Sequence, residues 1–239
     1  MRGFSLIVSL FILVSCTTSQ DPIQNIGLDY FPLKVGAYQI YAVDETQITK
    51  SVEQKFVYEL KVQIVDSAIN QEGGYTYTIQ RQKRNSIAFP WVNLDPLTAR
   101  IANRQSIITE GNTSFAKLMF PAANGLEWDG NAFNNLGGEQ SCGENKDRPC
   151  DIYRMENLGN EFTAISGMTF AETLTVIQND NRDLIVNQDV RREVYARNIG
   201  LIYKESVVLT YCTDTPCLAK QKIDVGFKYK QVLKEYGSN

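Results

Sequence analysis

The chain has 239 residues, 43% of them hydrophobic and 21% charged, with a formal net charge of −3, five cysteines and no histidine. That apolar content suits one large domain or two small ones with a sizeable core, and it excludes a mainly disordered state. The absence of histidine removes Ser-His-Asp and Cys-His nucleophile pairs, histidine zinc sites and an imidazole general base. The near-balanced charge excludes the basic footprint of a nucleic-acid binder.

Met1-Arg2 opens the chain with a positive charge, and Phe4 to Val14 is an apolar run interrupted by Ser5 and Ser9. The run is shorter than the roughly 20 apolar residues that a bilayer span needs, and its flanks are those of an export signal. It ends in Leu13-Val14-Ser15-Cys16, which resembles the lipobox of bacterial lipoproteins. The resemblance implies cleavage before Cys16, a thioether lipid on its sulfur and acylation of the new amino terminus. Three acyl chains anchor durably where a single chain binds marginally. Thr17 stands where an aspartate would signal inner-membrane retention in some enterobacteria, so the resemblance favours the outer membrane, on either face. Residues 1–15 are thus read as signal peptide, 16–29 as lipidated cysteine and polar tether, and 30–239 as a single β-rich domain.

From Tyr30 onward the pattern has period two. Phe56, Tyr58, Leu60, Val62 and Ile64 alternate with Glu59, Lys61 and Gln63, and Tyr75, Tyr77 and Ile79 follow a Gly73-Gly74 turn. Residues 54–84 are therefore predicted to form a β-hairpin. Asp95-Pro96 has the form of an N-cap followed by proline at the first helical position, which predicts a short helix over Asp95 to Asn103. Strands are predicted over Met168 to Gln178, Leu184 to Val186 and Val190 to Arg197, with Asn179-Asp180-Asn181 as a polar turn. Leu201 to Tyr211 and Gln221 to Leu233 continue the pattern. The expected fold is all-β: a single antiparallel twisted sheet forming a barrel or half-barrel, with one short helix and disulfide-stapled loops.

With Cys16 assigned to lipid, Cys142, Cys150, Cys212 and Cys217 remain for an oxidising compartment. Three pairings are possible. The local scheme, Cys142–Cys150 with Cys212–Cys217, closes two small loops, and a crossed pairing stays open as the alternative. A four-thiolate zinc site lacks a C-x-x-C knuckle. No metal or cofactor is expected.

Catalytic candidates are few. Glu127-Trp128-Asp129 sets two carboxylates around an aromatic ring, as a glycosidase requires. On a strand, however, Glu127 and Asp129 share one face and Trp128 points away, which reads as a strand end with a core tryptophan before an Asp129-Gly130 turn. Asp129, Asn131 and Glu139 miss the calcium-loop template at Phe133, and Glu139 falls one residue early. Asn179, Asp180, Asn181 and Asp183 are read as turn formers. Lys83-Arg84 and Arg191-Arg192 are read as solvated faces. Asp66-Ser67-Ala68 resembles the short O-glycosylation signal of Bacteroidetes envelope proteins.

Two longer segments resemble uncharacterised Bacteroidetes envelope lipoproteins. One is Tyr30-Phe31-Pro32-Leu33-Lys34-Val35-Gly36-Ala37-Tyr38-Gln39-Ile40-Tyr41, similar to their opening F-P-L-x-x-G-x-x-W-x-Y. The other is Glu193 to Glu205, with Tyr195-Ala196-Arg197-Asn198-Ile199-Gly200-Leu201 at its centre. Phe120-Pro121 and Trp128-Asp129-Gly130 fit between them. Tyr38 replaces the usual tryptophan and Asn198 the usual glycine. The resemblance implies a β-rich envelope domain without an established activity, and both segments are read as fold determinants, Gly36 permitting close packing and Ile199-Gly200-Leu201 marking a bend or bulge.

The leading expectation is a lipid-anchored, non-catalytic envelope protein that binds an apolar or glycan ligand or an envelope protein partner. The alternatives are an accessory subunit of an outer-membrane complex and, third, a carboxylate-dependent glycoside hydrolase with Glu127 beside a second acid. Intact-mass measurement tests the anchor. A mature chain beginning at Cys16 and carrying acyl mass is expected, whereas a start at Ser15 or earlier without acyl mass would remove the lipoprotein reading.

Overall fold

A computed structural model describes residues 26–136, 140–141, 149–218 and 220–238 of the protein. The signal segment, Cys16, Glu139 and Cys142 lie outside the described residues, as does the proposed Cys142–Cys150 pair. Period-two alternation turns most of the described chain into strand: β1 (Ala37–Thr49), β2 (Val52–Ile69), β3 (Tyr75–Arg84), β4 (Val92–Ala102), β5 (Gln105–Glu110), β6 (Thr113–Met119), β7 (Glu127–Asp129), β8 (Gln140–Ser141), β9 (Pro149–Cys150), β10 (Ile152–Thr163), β11 (Thr169–Asn181), β12 (Asn187–Ala196), β13 (Gly200–Tyr211) and β14 (Ile223–Ser238). Among the described residues the sole helical element is a 3-10 turn at Leu28–Tyr30.

Twelve strands form one antiparallel sheet in the order β6-β5-β4-β3-β2-β1-β14-β13-β12-β11-β10-β7, and β8 and β9 pair separately. From β1 to β6 and from β10 to β14 each strand lies beside its neighbour in sequence, as short connections favour, and β7 pairs with β10. β1 and β14 join the two chain ends in a long ladder from Ala37↔Ser238 to Ile48↔Gly226. The remaining edges, β6 and β7, meet across a narrow seam. There the Ala116 amide donates to the Gly130 carbonyl at 2.9 Å, the Trp128 indole donates to the Ala116 carbonyl at 2.9 Å, and the Asn134 amide donates to the Ser114 carbonyl at 2.7 Å. Backbone groups that an edge strand would leave open are thus satisfied, and the sheet is a nearly closed barrel. Gly130 fits this seam because a Cβ there would lie 2.2 Å from the Tyr153 ring. That ring packs edge-on against Trp128, with centroids 5.9 Å apart.

The predicted 54–84 hairpin is present as β2 and β3, and the two C-terminal strands are β13 and β14. The helix predicted over Asp95 to Asn103 is not: Asp95 to Ala102 belong to β4, and Asn103 begins the turn after it. The ladder between β3 and β4 steps from Arg81↔Leu94 to Ile79↔Leu97, skipping Asp95 and Pro96. Proline is tolerated there because the irregularity asks for no N–H, and the Arg81 side chain donates to the Asp95 carbonyl at 3.0 Å. Ala99 is buried and Leu97 and Ile101 pack beside it, an alternation of period two that overrides the cap-like dipeptide. The predicted strand Leu184 to Val186 is instead a turn, and Asn179-Asp180-Asn181 lies within β11. Side-chain oxygens of Asn179, Asn181 and Asp183 accept from the amides of Asn181, Asp183 and Ile185. Such Asx turns reverse the chain past the tip.

Apolar residues divide into two large buried clusters. One gathers Tyr30, Phe31, Ile79, Ala99, Leu118, Phe120, Trp128, Tyr153, Met155 and Leu174, with Ile26 packed against it. The other joins Val194 and Ala196 of β12 to Ala164, Phe170, Ile202 and Leu233. Cys212 and Cys217, after β13, are disulfide-bonded with a Cα separation of 5.8 Å, and so short a loop gains little stability from the link.

The seam generates a prediction. Trp128→Ala removes a buried indole and is expected to cost about 3–5 kcal/mol, read by urea denaturation. Trp128→Phe keeps an aromatic ring but leaves the Ala116 carbonyl unpaired, with an expected cost of about 1–3 kcal/mol.

Candidate functional site

A cavity of about 690 Å³ lies within the sheet. Its walls differ in character because each strand sends alternate side chains inward. Leu60, Val62 and Ile64 of β2, Ile79 of β3, Leu97 of β4 and Ile108 of β5 supply an apolar wall. Gln178 of β11, Arg191, Glu193 and Tyr195 of β12, Lys204 and Ser206 of β13, and Gln231 of β14 supply a polar one.

Glu193 is the centre of the polar wall. It is 1% exposed, and Lys117 of β6 donates to its Oε1 at 2.6 Å. Tyr195 donates to Oε2 at 2.6 Å, and the Lys204 ammonium stands 3.7 Å from Oε1. Burial alone would raise the Glu193 pKa. The charges of Lys117 and Lys204, with the hydrogen bonds from Lys117 and Tyr195, outweigh it and hold the carboxyl down to about 2. Burial lowers the Lys117 pKa, against the opposing pull of Glu193. Burial also pushes the Tyr41 and Tyr195 phenols far up, so both remain neutral donors.

Arg191 shows a second device. Burial opposes its charge, but hydrogen bonds and charge from Asp189 and Asp151 raise its pKa above the usual guanidinium range. It contacts Asp189 at 2.7 Å and Asp151 at 3.1 Å. From sequence, Arg191 is expected on a solvated face. In the fold it lines the cavity, because β12 directs the 191, 193 and 195 positions inward. Arg192, of opposite parity, pairs with Glu205 at 2.7 Å.

One end of the cavity is shaped by the two segments that carry the family resemblance. Phe31, Pro32 and Leu33 line it, as do Asn198, Ile199, Gly200 and Leu201. Gln39 donates to the Ile199 carbonyl at 2.5 Å, and Tyr41 donates to the Leu201 carbonyl at 2.9 Å. Gly200 has φ of 91°, and a Cβ there would crowd Gln39 at 3.3 Å and Pro32 at 3.4 Å. These segments, read from sequence as fold determinants, thus also wall the site. Their separation along the chain hid this, although the paired motifs were the available signal.

The other sequence candidates do not converge. Glu127 is exposed on β7 and does not line the cavity. Asp129 accepts the Asn131 amide at 2.9 Å, and the Asn131 side chain donates to Asp151 at 3.1 Å, which is turn chemistry. Arg84 pairs with Glu59 at 2.6 Å and lies 4.2 Å from the Trp91 ring. Ser67 is half-buried near the end of β2. No sequence signal marks Gln178. It sits at a register shift between Ile177 and Asn179, is 6% exposed, and its Nε2 has no hydrogen-bond partner.

The Glu193 cluster predicts a pH effect. A carboxyl whose folded pKa lies near 2, below its ordinary 4.5, stabilises the fold fully above the ordinary value and loses that contribution as pH falls toward 2. Glu193→Gln leaves Lys117 buried without its counter-charge and is expected to cost about 3–5 kcal/mol at neutral pH. Thermal melts from pH 7 to 2 should show the difference from the parent shrinking with acid. The double replacement Lys117→Met with Glu193→Leu should recover most of the loss.

Neither a family model nor a curated protein matches the sequence. Two solved structures show a distant likeness. The first is a "putative exported protein with YmcC-like fold" from Bacteroides fragilis NCTC 9343, at 12% identity and a TM-score of 0.41, covering 87% of this chain and 98% of that one. The second is a "putative lipoprotein" from Parabacteroides distasonis ATCC 8503, at 13% identity and a TM-score of 0.40, with the same coverage of each chain. Likeness at this level assigns no function to the chain.

Proposed function

We propose that this protein is lipid-anchored in the bacterial cell envelope and holds an apolar or amphiphilic ligand inside its barrel without chemically altering it. The observation that carries the reading is the cavity of about 690 Å³, within the range of small-molecule sites and of their usual make-up, an apolar lining with a few convergent polar groups. The anchor rests on the Leu13-Val14-Ser15-Cys16 resemblance, and the Cys212–Cys217 bridge suits an oxidising compartment.

Binding is favoured over hydrolysis by the state of the acids. The two carboxylates that line the cavity, Glu110 and Glu193, are each engaged by a cation of their own, Arg81 and Lys117, both at 2.6 Å. A carboxyl held near pKa 2 is a poor general acid or base near neutrality. An accessory-subunit role draws less support, since the β6 and β7 edges answer one another and offer little free ladder to a partner.

A photoactivatable, uncharged alkyl diazirine tests the reading on the mature lipoprotein in phosphatidylcholine nanodiscs. Labelling should map to peptides of β2–β5 and β12–β14. Leu97→Trp, which fills the apolar wall, should lower that labelling about tenfold, equivalent to about 1.4 kcal/mol, without lowering the melting temperature. Labelling confined to lipid-facing or terminal peptides would sink the proposal.

A further inference from the structure

The polar wall is not balanced in charge or in hydrogen bonding, and this imbalance has a direction. The lining contains Lys34, Arg81, Lys117, Arg191 and Lys204 against Glu110 and Glu193. Arg81 is neutralised by Glu110, and Arg191 by Asp189 and Asp151. Those two aspartates stand outside the lining and are held by Asn179 and Asn131. Glu193, however, is shared by two cations. Lys117 takes the short contact at 2.6 Å, leaving Lys204 at 3.7 Å and 5.7 Å from the Tyr229 ring. An ammonium carries three donors, and that of Lys204 makes no hydrogen bond among the described residues. It is a cation with capacity to spare, on the cavity face.

Gln178 adds an independent sign. Its Nε2 is buried with no partner, which is costly for a polar group inside a protein unless something supplies an acceptor. Gln178 stands on β11 beside Arg191 and Arg192 of β12. Arg191 in turn faces Ser206 on β13, and Glu193 faces Lys204. The spare donor on β11 and the spare cation on β13 therefore flank β12 from either side of one wall. In the buried lining the group left unpaired is a donor. The opposite wall, built from Leu60, Ile79 and Leu97 among others, offers no hydrogen bond from its side chains.

We infer that the cavity takes an amphiphile with one acidic head, a carboxylate or a phosphate monoester on an alkyl chain. The head accepts from Lys204 and Gln178, and the chain lies along the apolar wall. This rests on the ligand-binding reading above and adds the chemical class. A neutral lipid would leave Lys117 and Lys204 sharing the single carboxylate of Glu193. A glycan would leave the apolar wall facing hydroxyl groups. An alkyl chain with one acidic head answers both: the chain covers the apolar wall, and the head makes charge-assisted hydrogen bonds, roughly twice as strong as neutral ones.

Native mass spectrometry of the mature lipoprotein released from phosphatidylcholine nanodiscs tests this with three probes of equal chain length: dodecanoate, dodecyl phosphate and dodecanol. At least one acid should bind about tenfold or more tightly than dodecanol, a difference of about 1.4 kcal/mol, and the stronger of the two identifies the head group. Lys204→Met and Gln178→Leu should each bring the acids toward the alcohol, while Lys204→Arg retains the preference. Melting temperatures near that of the parent confirm that each variant is folded. Equal binding of dodecanol and both acids, or a preference unchanged in Lys204→Met, overturns the inference and leaves the apolar-ligand reading standing. If none of the three binds, both fail together.

Discussion

An ion pair inside a β-barrel constrains what the rest of the barrel can be. Glu193 on β12 and Lys117 on β6 meet at 2.6 Å, although even across the seam β7, β10 and β11 stand between their strands. A buried carboxylate without its cation would be costly by several kcal/mol, so the two strands must curl until these groups meet. Tyr195 completes the arrangement by donating to the second carboxylate oxygen. A polar cluster so placed cannot be covered by close-packed aliphatic side chains, and the space beside it remains as a cavity.

Closure and cavity are thus two consequences of one arrangement. On one side of the interior, Leu118, Phe120, Trp128, Tyr153 and Met155 pack as an ordinary core, and the Trp128 indole bridges the seam to β6. On the other side, side chains of β2–β5 face the polar positions of β12–β14 without meeting them. The N-terminal Phe31-Pro32-Leu33 segment and the turn from Asn198 to Leu201 then shape one end. They are joined by the Gln39 and Tyr41 side chains, which donate to carbonyls of the turn.

Much of the fold was legible because strand periodicity is a local property. The alternation through Phe56 to Ile64 and again through Tyr75 to Ile79 needs no partner to be recognised. Trp128 pointing away from Glu127 and Asp129 follows from the same pleat. The errors came where a local signal met a tertiary one. Asp95-Pro96 has the chemistry of a helix start, but a ladder irregularity accommodates the proline and the residues beyond it alternate into the core. Leu184 to Val186 are apolar, yet the asparagine and aspartate side chains preceding them bend the chain into a turn.

The candidate site was less legible, for a geometric reason. Parity along β12 puts Arg191, Glu193 and Tyr195 on one face, but the pleat alone does not say whether that face is wet or enclosed. Charge suggested water, and the ring of strands made it interior. Gln178 carried no mark at all, because an amide side chain is unremarkable until burial deprives it of a partner. By itself the sequence determined an all-β chain with alternating faces, together with the expectation of export and an N-terminal lipid. Only the tertiary structure decided which faces enclose a cavity and which distant residues share it. Alternation is set by neighbouring residues, whereas enclosure depends on the β1–β14 ladder and the β6–β7 seam, which join residues far apart in the chain.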